Sequence, residues 1–190
     1  MTSRASTSLR PEFEAALRLF AQASRAFTAQ GFEPPILVGG GAVELFSVSA
    51  MMTGDFDICV ARQEMFEEAL VALGFIKPSG PGNATRGWIH PELKLGFEVV
   101  SSTLLNGLAD RDRVILIDLD ADGVVAVISV EDIIADRMGQ FASGTAPEMR
   151  EQARQLLILH NNVDRAYLDR RVREETDGAY GIDDINAYPA

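Results

Sequence analysis

Only one cysteine, Cys59, occurs in 190 residues. An internal disulfide is therefore excluded, and a reducing, cytoplasmic setting is the expectation. Long apolar runs are missing too. Val124 to Ile128 is among the longest, far short of the roughly 20 residues a membrane-spanning helix needs. No charged stretch followed by an apolar segment opens the chain, so neither a secretory leader nor a membrane partner is expected. Positive charge is scarce: 17 Lys and Arg face 28 Asp and Glu, for a net charge of −11. The acidic excess runs through both halves, which argues against a general nucleic-acid binder with a basic surface. The two histidines, His90 and His160, lie far apart without metal-type spacing, and structural roles are expected of both. What is abundant is apolar surface. At 47% hydrophobic residues the chain can bury a sizeable core, which excludes global disorder. Its length suits one domain, or a domain with a helical appendage.

Periodicity predicts an α/β region followed by helices. Phe13, Leu17, Phe20 and Phe27 recur at helical spacing between Pro11 and Gln30, with Pro at a favoured first position and Gly31 as the stop. A short buried strand is expected over 36–38, a glycine turn over 39–41 and a short helix over 42–47. A strand over 56–61 leads to a helix over 63–73 that stops at Gly74. Brief strands are expected at 75–77, 87–90 and 94–100, with an exposed loop over 78–82. A hairpin is expected from 114–119 and 124–130 around Ala121-Asp122-Gly123. Three helices follow, over 129–142, 147–159 and 164–175, the first opened by a capping-box-like Ser129 and Asp132. The organisation expected is a sheet domain over 1–128 with an N-terminal helix, C-terminal helices over 129–177 packed on it, and a loose tail over 178–190.

The chemistry concentrates at Asp55-Phe56-Asp57-Ile58, preceded by Val38-Gly39-Gly40-Gly41-Ala42. Side chains alternate along a strand, so Asp55 and Asp57 share one face while Phe56 and Ile58 point into a core. Two adjacent carboxylates repel each other unless a cation lies between them, and hard cations such as Mg²⁺ prefer carboxylate oxygens. A glycine turn entering a helix offers a phosphate exposed N–H groups and the positive end of the helix dipole. A metal site beside a phosphate cradle points to chemistry on a nucleoside triphosphate (NTP).

These residues resemble the signature of the nucleotidyltransferase superfamily with the polymerase-β-like fold. Its pattern is an apolar residue, Gly, then Gly or Ser, a short helix, Asp-apolar-Asp on the next strand, and a third acidic residue on a neighbouring strand. That pattern falls on Val38-Gly39-Gly40, Asp55-Phe56-Asp57 and Glu98 of Gly96-Phe97-Glu98-Val99-Val100. The likeness is strongest to small bacterial nucleotidyltransferase-like proteins, toxin components of toxin–antitoxin systems among them, and spans roughly residues 36–160. It implies an α+β (α/β) fold, a mixed sheet flanked by helices with a C-terminal helical region. It implies catalytic and metal-binding roles for Asp55, Asp57 and Glu98, with Mg²⁺ as cofactor and an NTP as substrate. Gly39, Gly40, Gly41 and Thr53 would bind the nucleotide. Arg137, on the helix opened by Glu131 and Asp132, would reach phosphate or acceptor. Met51 and Met52 stand where relatives carry a basic residue. The implied reaction joins a nucleoside monophosphate to an acceptor hydroxyl on RNA, protein or a small molecule such as an antibiotic. An antitoxin protein and a second copy of the chain are the implied protein partners. A silent member of the fold acting as an interaction module is the alternative.

Other features carry less. Asp118 to Gly123 mimics half of an EF-hand loop, but Ser129 stands at the twelfth position where a bidentate Glu is needed, so a hairpin turn is expected. Arg165, Arg170, Arg171 and Arg173 read as a solvated helix face partnered by Glu174 and Glu175. Cys59 reads as a small core residue and Trp88 as a half-buried strand aromatic. Gly80-Pro81-Gly82-Asn83 reads as a substrate-side loop or a plain connection.

Overall fold

The computed structural model describes residues 8–78, 87–93 and 95–187. The first helix, α1 (Pro11–Thr28), carries Phe13, Phe20 and Phe27 at seven-residue spacing, two helical turns apart, so all three fall on one buried face. They meet phenylalanines from the sheet and from the third helix. Phe13 lies 5.0 Å from Phe56, Phe20 lies 6.2 Å from Phe97, and Phe27 lies 5.8 Å from Phe66. Phe56 and Phe97 stack at 4.8 Å. This aromatic layer fixes which face of the central strands is apolar, and so which face is left for carboxylates.

Six strands form one mixed sheet: β1 (Ile36–Val38), β2 (Asp55–Cys59), β3 (Trp88–Ile89), β4 (Gly96–Ser101), β5 (Ile115–Asp118) and β6 (Val124–Val127), in the order β3-β4-β2-β1-β6-β5. β1 runs antiparallel to β2 and parallel to β6, while β2 runs parallel to β4. Helices α2 (Gly39–Phe46) and α3 (Gln63–Ala72) fill the connections, and α4 (Val130–Ala142), α5 (Met149–Leu159), α6 (Arg165–Glu175) and α7 (Ile182–Asn186) follow the sheet. The mixed α+β architecture with a C-terminal helical region is the one expected. Among the described residues, no helix is long and apolar enough to cross a membrane.

Several expectations change at the element level. Residues 39–41 are no turn: α2 begins at Gly39 itself, directly after β1. Positive φ at Gly39 (56°) makes the sharp entry that lets strand and helix abut. Residues 75–77 form no strand, only an isolated bridge between Ile76 and Ile89. The loose tail expected from 178 instead holds α7, which buries Ile182 and Ile185. Two isoleucines three apart are enough for one helical turn to dock, a signal hidden by the surrounding Gly and Asp. The expected loop over 78–82 and the stretch Gly80-Pro81-Gly82-Asn83 lie outside the described residues apart from Pro78, as does Lys94.

The helical region is anchored by a buried ionic network. Arg171 is fully buried and donates to Asp132 at 2.7 Å, Glu174 at 2.8 Å and Glu175 at 2.5 Å. Asp132 also accepts the Tyr167 hydroxyl at 3.0 Å. It meets Ser129 as well, whose hydroxyl caps α4 by accepting the Asp132 N–H. The solvated arginine face expected here holds for Arg170 and Arg173, which pair with Glu174 and Asp169 on the surface, and fails for Arg171. A helix of this charge hides one arginine because three carboxylates converge on it.

Candidate functional site: a carboxylate pair facing a helix N-terminus

Strand register assembles the site. Val38 pairs with Asp57 across β1 and β2, and Asp57 pairs with Glu98 across β2 and β4. Directly paired residues share a face, so Asp57 and Glu98 stand side by side, with Asp55 two residues along the same strand. Phe56 and Ile58 are fully buried on the opposite face, as strand alternation predicts. Asp55 lies opposite Gly96, where no side chain crowds it. Asp55 is exposed; Asp57 and Glu98 are half-buried.

Gly39 and Gly40 bring the N-terminus of α2 against this face. The Gly40 N–H donates to Asp57 Oδ2 at 3.2 Å. A Cβ at Gly39 would lie 2.7 Å from Asp57 Cγ and 2.8 Å from its Cβ, and one at Gly40 would lie 2.5 Å from Thr53 Oγ1. Neither position has room for a side chain. Gly41 serves packing instead, because a Cβ there would press on Leu37 at 2.7 Å. Thr53 donates its hydroxyl to Asp55 Oδ1 at 3.1 Å, which fixes that carboxylate from the loop side.

The electrostatics are strained in one direction. Burial pushes the Asp57 carboxyl above the ordinary aspartate value of 3.8, and the charges of Asp55 and Glu98 push it the same way. The Gly40 N–H and the Arg137 guanidinium oppose them only in part. Three like charges on one sheet face are a cost that a cation relieves. Among the described residues, no group of three or more His, Cys, Asp and Glu side chains is arranged to hold a metal ion alone. Mg²⁺ is ordinarily held by one or two carboxylates together with substrate phosphates and water. The donor set of Asp55 and Asp57 fits that mode.

Two cavities flank the pair. One, of about 190 Å³, is lined by Gly40, Thr53, Met51, Met52, Arg137 and Met149, among others. Arg137 is 5% exposed. Its Nη1 donates to Gln140 at 3.0 Å and to the Met149 sulfur at 3.5 Å, while its Nε finds no partner among the described residues. The nearest carboxylate oxygen, on Asp136, is 3.7 Å away. Arg171 is ringed by three carboxylates, whereas Arg137 has one longer ion pair, to Asp136, and borders the cavity beside Gly40. Met51 and Met52 line this same cavity, to which α4 brings the Arg137 guanidinium. The second cavity, of about 250 Å³, is lined by Asp55, Glu98, Gly54, Gly87, Ile89, Leu95 and Gly96.

Asp55, Asp57, Glu98, Gly39, Gly40, Thr53 and Arg137 therefore lie on one side of the sheet or around the α2 N-terminus. Three that sequence reasoning missed support it. Glu44, fully buried on α2, accepts from Arg10 Nε at 2.6 Å and from the Thr53 N–H at 2.6 Å, and Ser49 donates to it at 2.9 Å. An acidic residue amid Ala42, Val43, Leu45 and Phe46 was the available signal. Expected lesser features also find their places. His160 bonds the Phe46 carbonyl at 2.9 Å and Cys59 is buried. Trp88 is half-buried under Lys77. Asp122, in the rejected EF-hand-like loop, pairs with Arg18 and Gln22.

No family model matches the chain, and no curated protein matches it. Among solved structures, the chain is similar to an antigenic nucleotidyltransferase-like protein from Paracoccidioides brasiliensis. The two share 13% sequence identity at a TM-score of 0.53, over 90% of each chain. With the strand order, the glycine entry to α2 and the acidic face already in place, that likeness establishes a nucleotidyltransferase-like fold for this chain.

Proposed function

We propose that the protein is a Mg²⁺-dependent nucleotidyltransferase that moves a nucleoside monophosphate from an NTP to an acceptor hydroxyl and releases pyrophosphate. The observation that carries this reading is the opposition of charges across the α2 N-terminus. Asp55 and Asp57 stand on one side, and the incompletely neutralised Arg137 lines a cavity with Gly40 on the other. A triphosphate together with a divalent cation would satisfy both sides at once.

Asp55 and Asp57 would hold the metal, which when bound supplies charge neutralisation for the triphosphate. The N-terminus of α2 would bind phosphate oxygens through its backbone N–H groups, aided by the helix dipole. Arg137, which lines the cavity beside Gly40, would meet the same phosphates in a charge-assisted bond. Thr53 keeps Asp55 in place. Glu98, beside Asp57 and lining the second cavity with Asp55, accepts the proton of the attacking hydroxyl. Atoms balance simply: the acceptor oxygen bonds the α-phosphorus, the α–β phosphoanhydride bond breaks, and the proton goes to Glu98.

The acceptor side favours a compact hydroxylated molecule bearing positive charge, because Asp55 and Glu98 line its cavity and the net charge is −11. A role as toxin, held in check by an antitoxin partner, would use the same chemistry on a macromolecular acceptor. Transfer of α-³²P-labelled nucleotide to components of a cell extract tests the reaction, with Asp55→Ala and Asp57→Ala as inactive controls. A wild type that neither binds Mg·NTP nor labels any component refutes it. Growth arrest on expression, set against drug resistance on expression, separates the two kinds of acceptor.

A further inference from the structure

We infer that Arg10 and Glu44 form a positioning clamp that sets the metal-binding geometry of the candidate site from behind. This inference rests on the reading that Asp55 and Asp57 hold a divalent cation.

Glu44 is fully buried on α2, the helix whose N-terminus faces the carboxylates. Burial alone would raise its pKa. Arg10, the Thr53 N–H and Ser49 together outweigh burial and hold the carboxyl below its ordinary range, so it is a charged group in the interior. Its oxygens are committed. Oε1 accepts from Arg10 Nε at 2.6 Å and from Ser49 Oγ at 2.9 Å; Oε2 accepts from Arg10 Nη2 at 3.0 Å and from the Thr53 N–H at 2.6 Å. Arg10 Nη2 also reaches the Thr53 carbonyl at 2.6 Å, and the Arg10 N–H donates to Ser49 Oγ at 3.0 Å. Thr53 is thus gripped at both its N–H and its C=O.

The grip has one consequence at the site. Thr53 Oγ1 is the hydrogen-bond donor to Asp55 Oδ1, and it abuts Gly40 so closely that a Cβ there would lie 2.5 Å away. The clamp therefore sets three things together: the Asp55 carboxylate, the loop over 47–54, and the separation of that loop from the α2 N-terminus. Val48 and Ser49 in the loop have positive φ, 51° and 59°. That conformation is unfavourable for a β-branched residue, and the bonds to Ser49 and Thr53 hold it in place. A salt bridge needed only for cohesion would not have to close on the one threonine that touches Asp55.

Mn²⁺ binding in the presence of ATP, followed by electron paramagnetic resonance against protein-free Mn·ATP, tests the clamp, with amide hydrogen exchange as a second readout. The variants are wild type, Asp57→Asn, Glu44→Gln and Arg10→Lys. Wild type is expected to bind Mn²⁺ and Asp57→Asn to lose it. Glu44→Gln is expected to bind at least ten-fold more weakly, with faster exchange confined to residues 49–55. Arg10→Lys keeps the charge but cannot bridge Glu44 and the Thr53 carbonyl with one planar group. It is expected to fold and to bind several-fold more weakly, which keeps the inference testable if Glu44→Gln fails to fold. Unchanged Mn²⁺ affinity in folded Glu44→Gln, or in Arg10→Lys should Glu44→Gln not fold, overturns the clamp while leaving the metal reading intact. So does faster exchange across the whole core. A wild type that takes up no Mn²⁺ overturns the metal reading itself, and the clamp's purpose with it.

Discussion

Replacing Gly39 by alanine should cost about 3 kcal/mol of folding stability, and the cost should depend on Asp57. Two effects add. Gly39 has φ of 56°, a left-handed conformation that costs an L-residue roughly 1–2 kcal/mol. The new Cβ would also lie 2.7 Å from Asp57 Cγ and 2.8 Å from its Cβ. Because the clash reaches Cβ, no rotamer change relieves it fully, and Asp57 must retreat from the Gly40 N–H that now binds it at 3.2 Å. A hydrogen bond to a charged group contributes roughly 1.5–3 kcal/mol, with the low end apt at a half-buried site. Urea denaturation of wild type, Gly39→Ala, Asp57→Ala and the double variant forms a thermodynamic cycle. In the Asp57→Ala background the Cγ clash and the hydrogen bond are gone, so the glycine substitution should cost only about 2 kcal/mol. A coupling below about 0.5 kcal/mol, within ordinary additivity for independent sites, would refute the packing of α2 against β2 described here.

Burial, then Asp55, raises the Asp57 carboxyl above 3.8. Its protonated form is thereby favoured by folding, and the resulting stability is present below the unfolded value and lost as pH rises through the folded one. Asp57→Asn should therefore stabilise the metal-free protein at pH 7 and flatten the fall in stability as pH rises above about 4; urea midpoints in EDTA check this, and an unchanged slope contradicts it. Arg171→Ala, which leaves Asp132 buried without its cation, should cost about 3–5 kcal/mol, with little relief from salt; a loss under 1 kcal/mol by denaturant titration would show that the network is dispensable. Arg137→Met removes a buried guanidinium whose ion pair, to Asp136, is long at 3.7 Å, so folding stability should fall only modestly while Mg·ATP affinity falls at least ten-fold by calorimetry. Undiminished affinity would remove Arg137 from phosphate binding.

Local pattern determined much of this protein. Phe13, Phe20 and Phe27 announce their shared helix face through seven-residue spacing alone, and Asp55-Phe56-Asp57-Ile58 announces its two faces through alternation, because both periodicities follow from backbone geometry. Ser129 marks the start of α4 because a cap acts within one turn. The glycines signal a tight approach, but not that α2 starts at Gly39, since a turn and a helix entry share the same residue preference. Register and long-range pairing were decided only by tertiary structure. That Glu98 stands beside Asp57 follows from the alignment of β2 and β4, about 40 residues apart in the chain. Periodicity could place Glu98 on a strand, and only the family resemblance put that strand beside Asp57. The same holds for charge. Arg137 and Arg171 look alike along the chain, yet one is ringed by acids and the other borders a cavity with its Nε unpaired. Burial and partner geometry, which belong to the folded chain, separate the arginine ringed by acids from the one that borders a cavity.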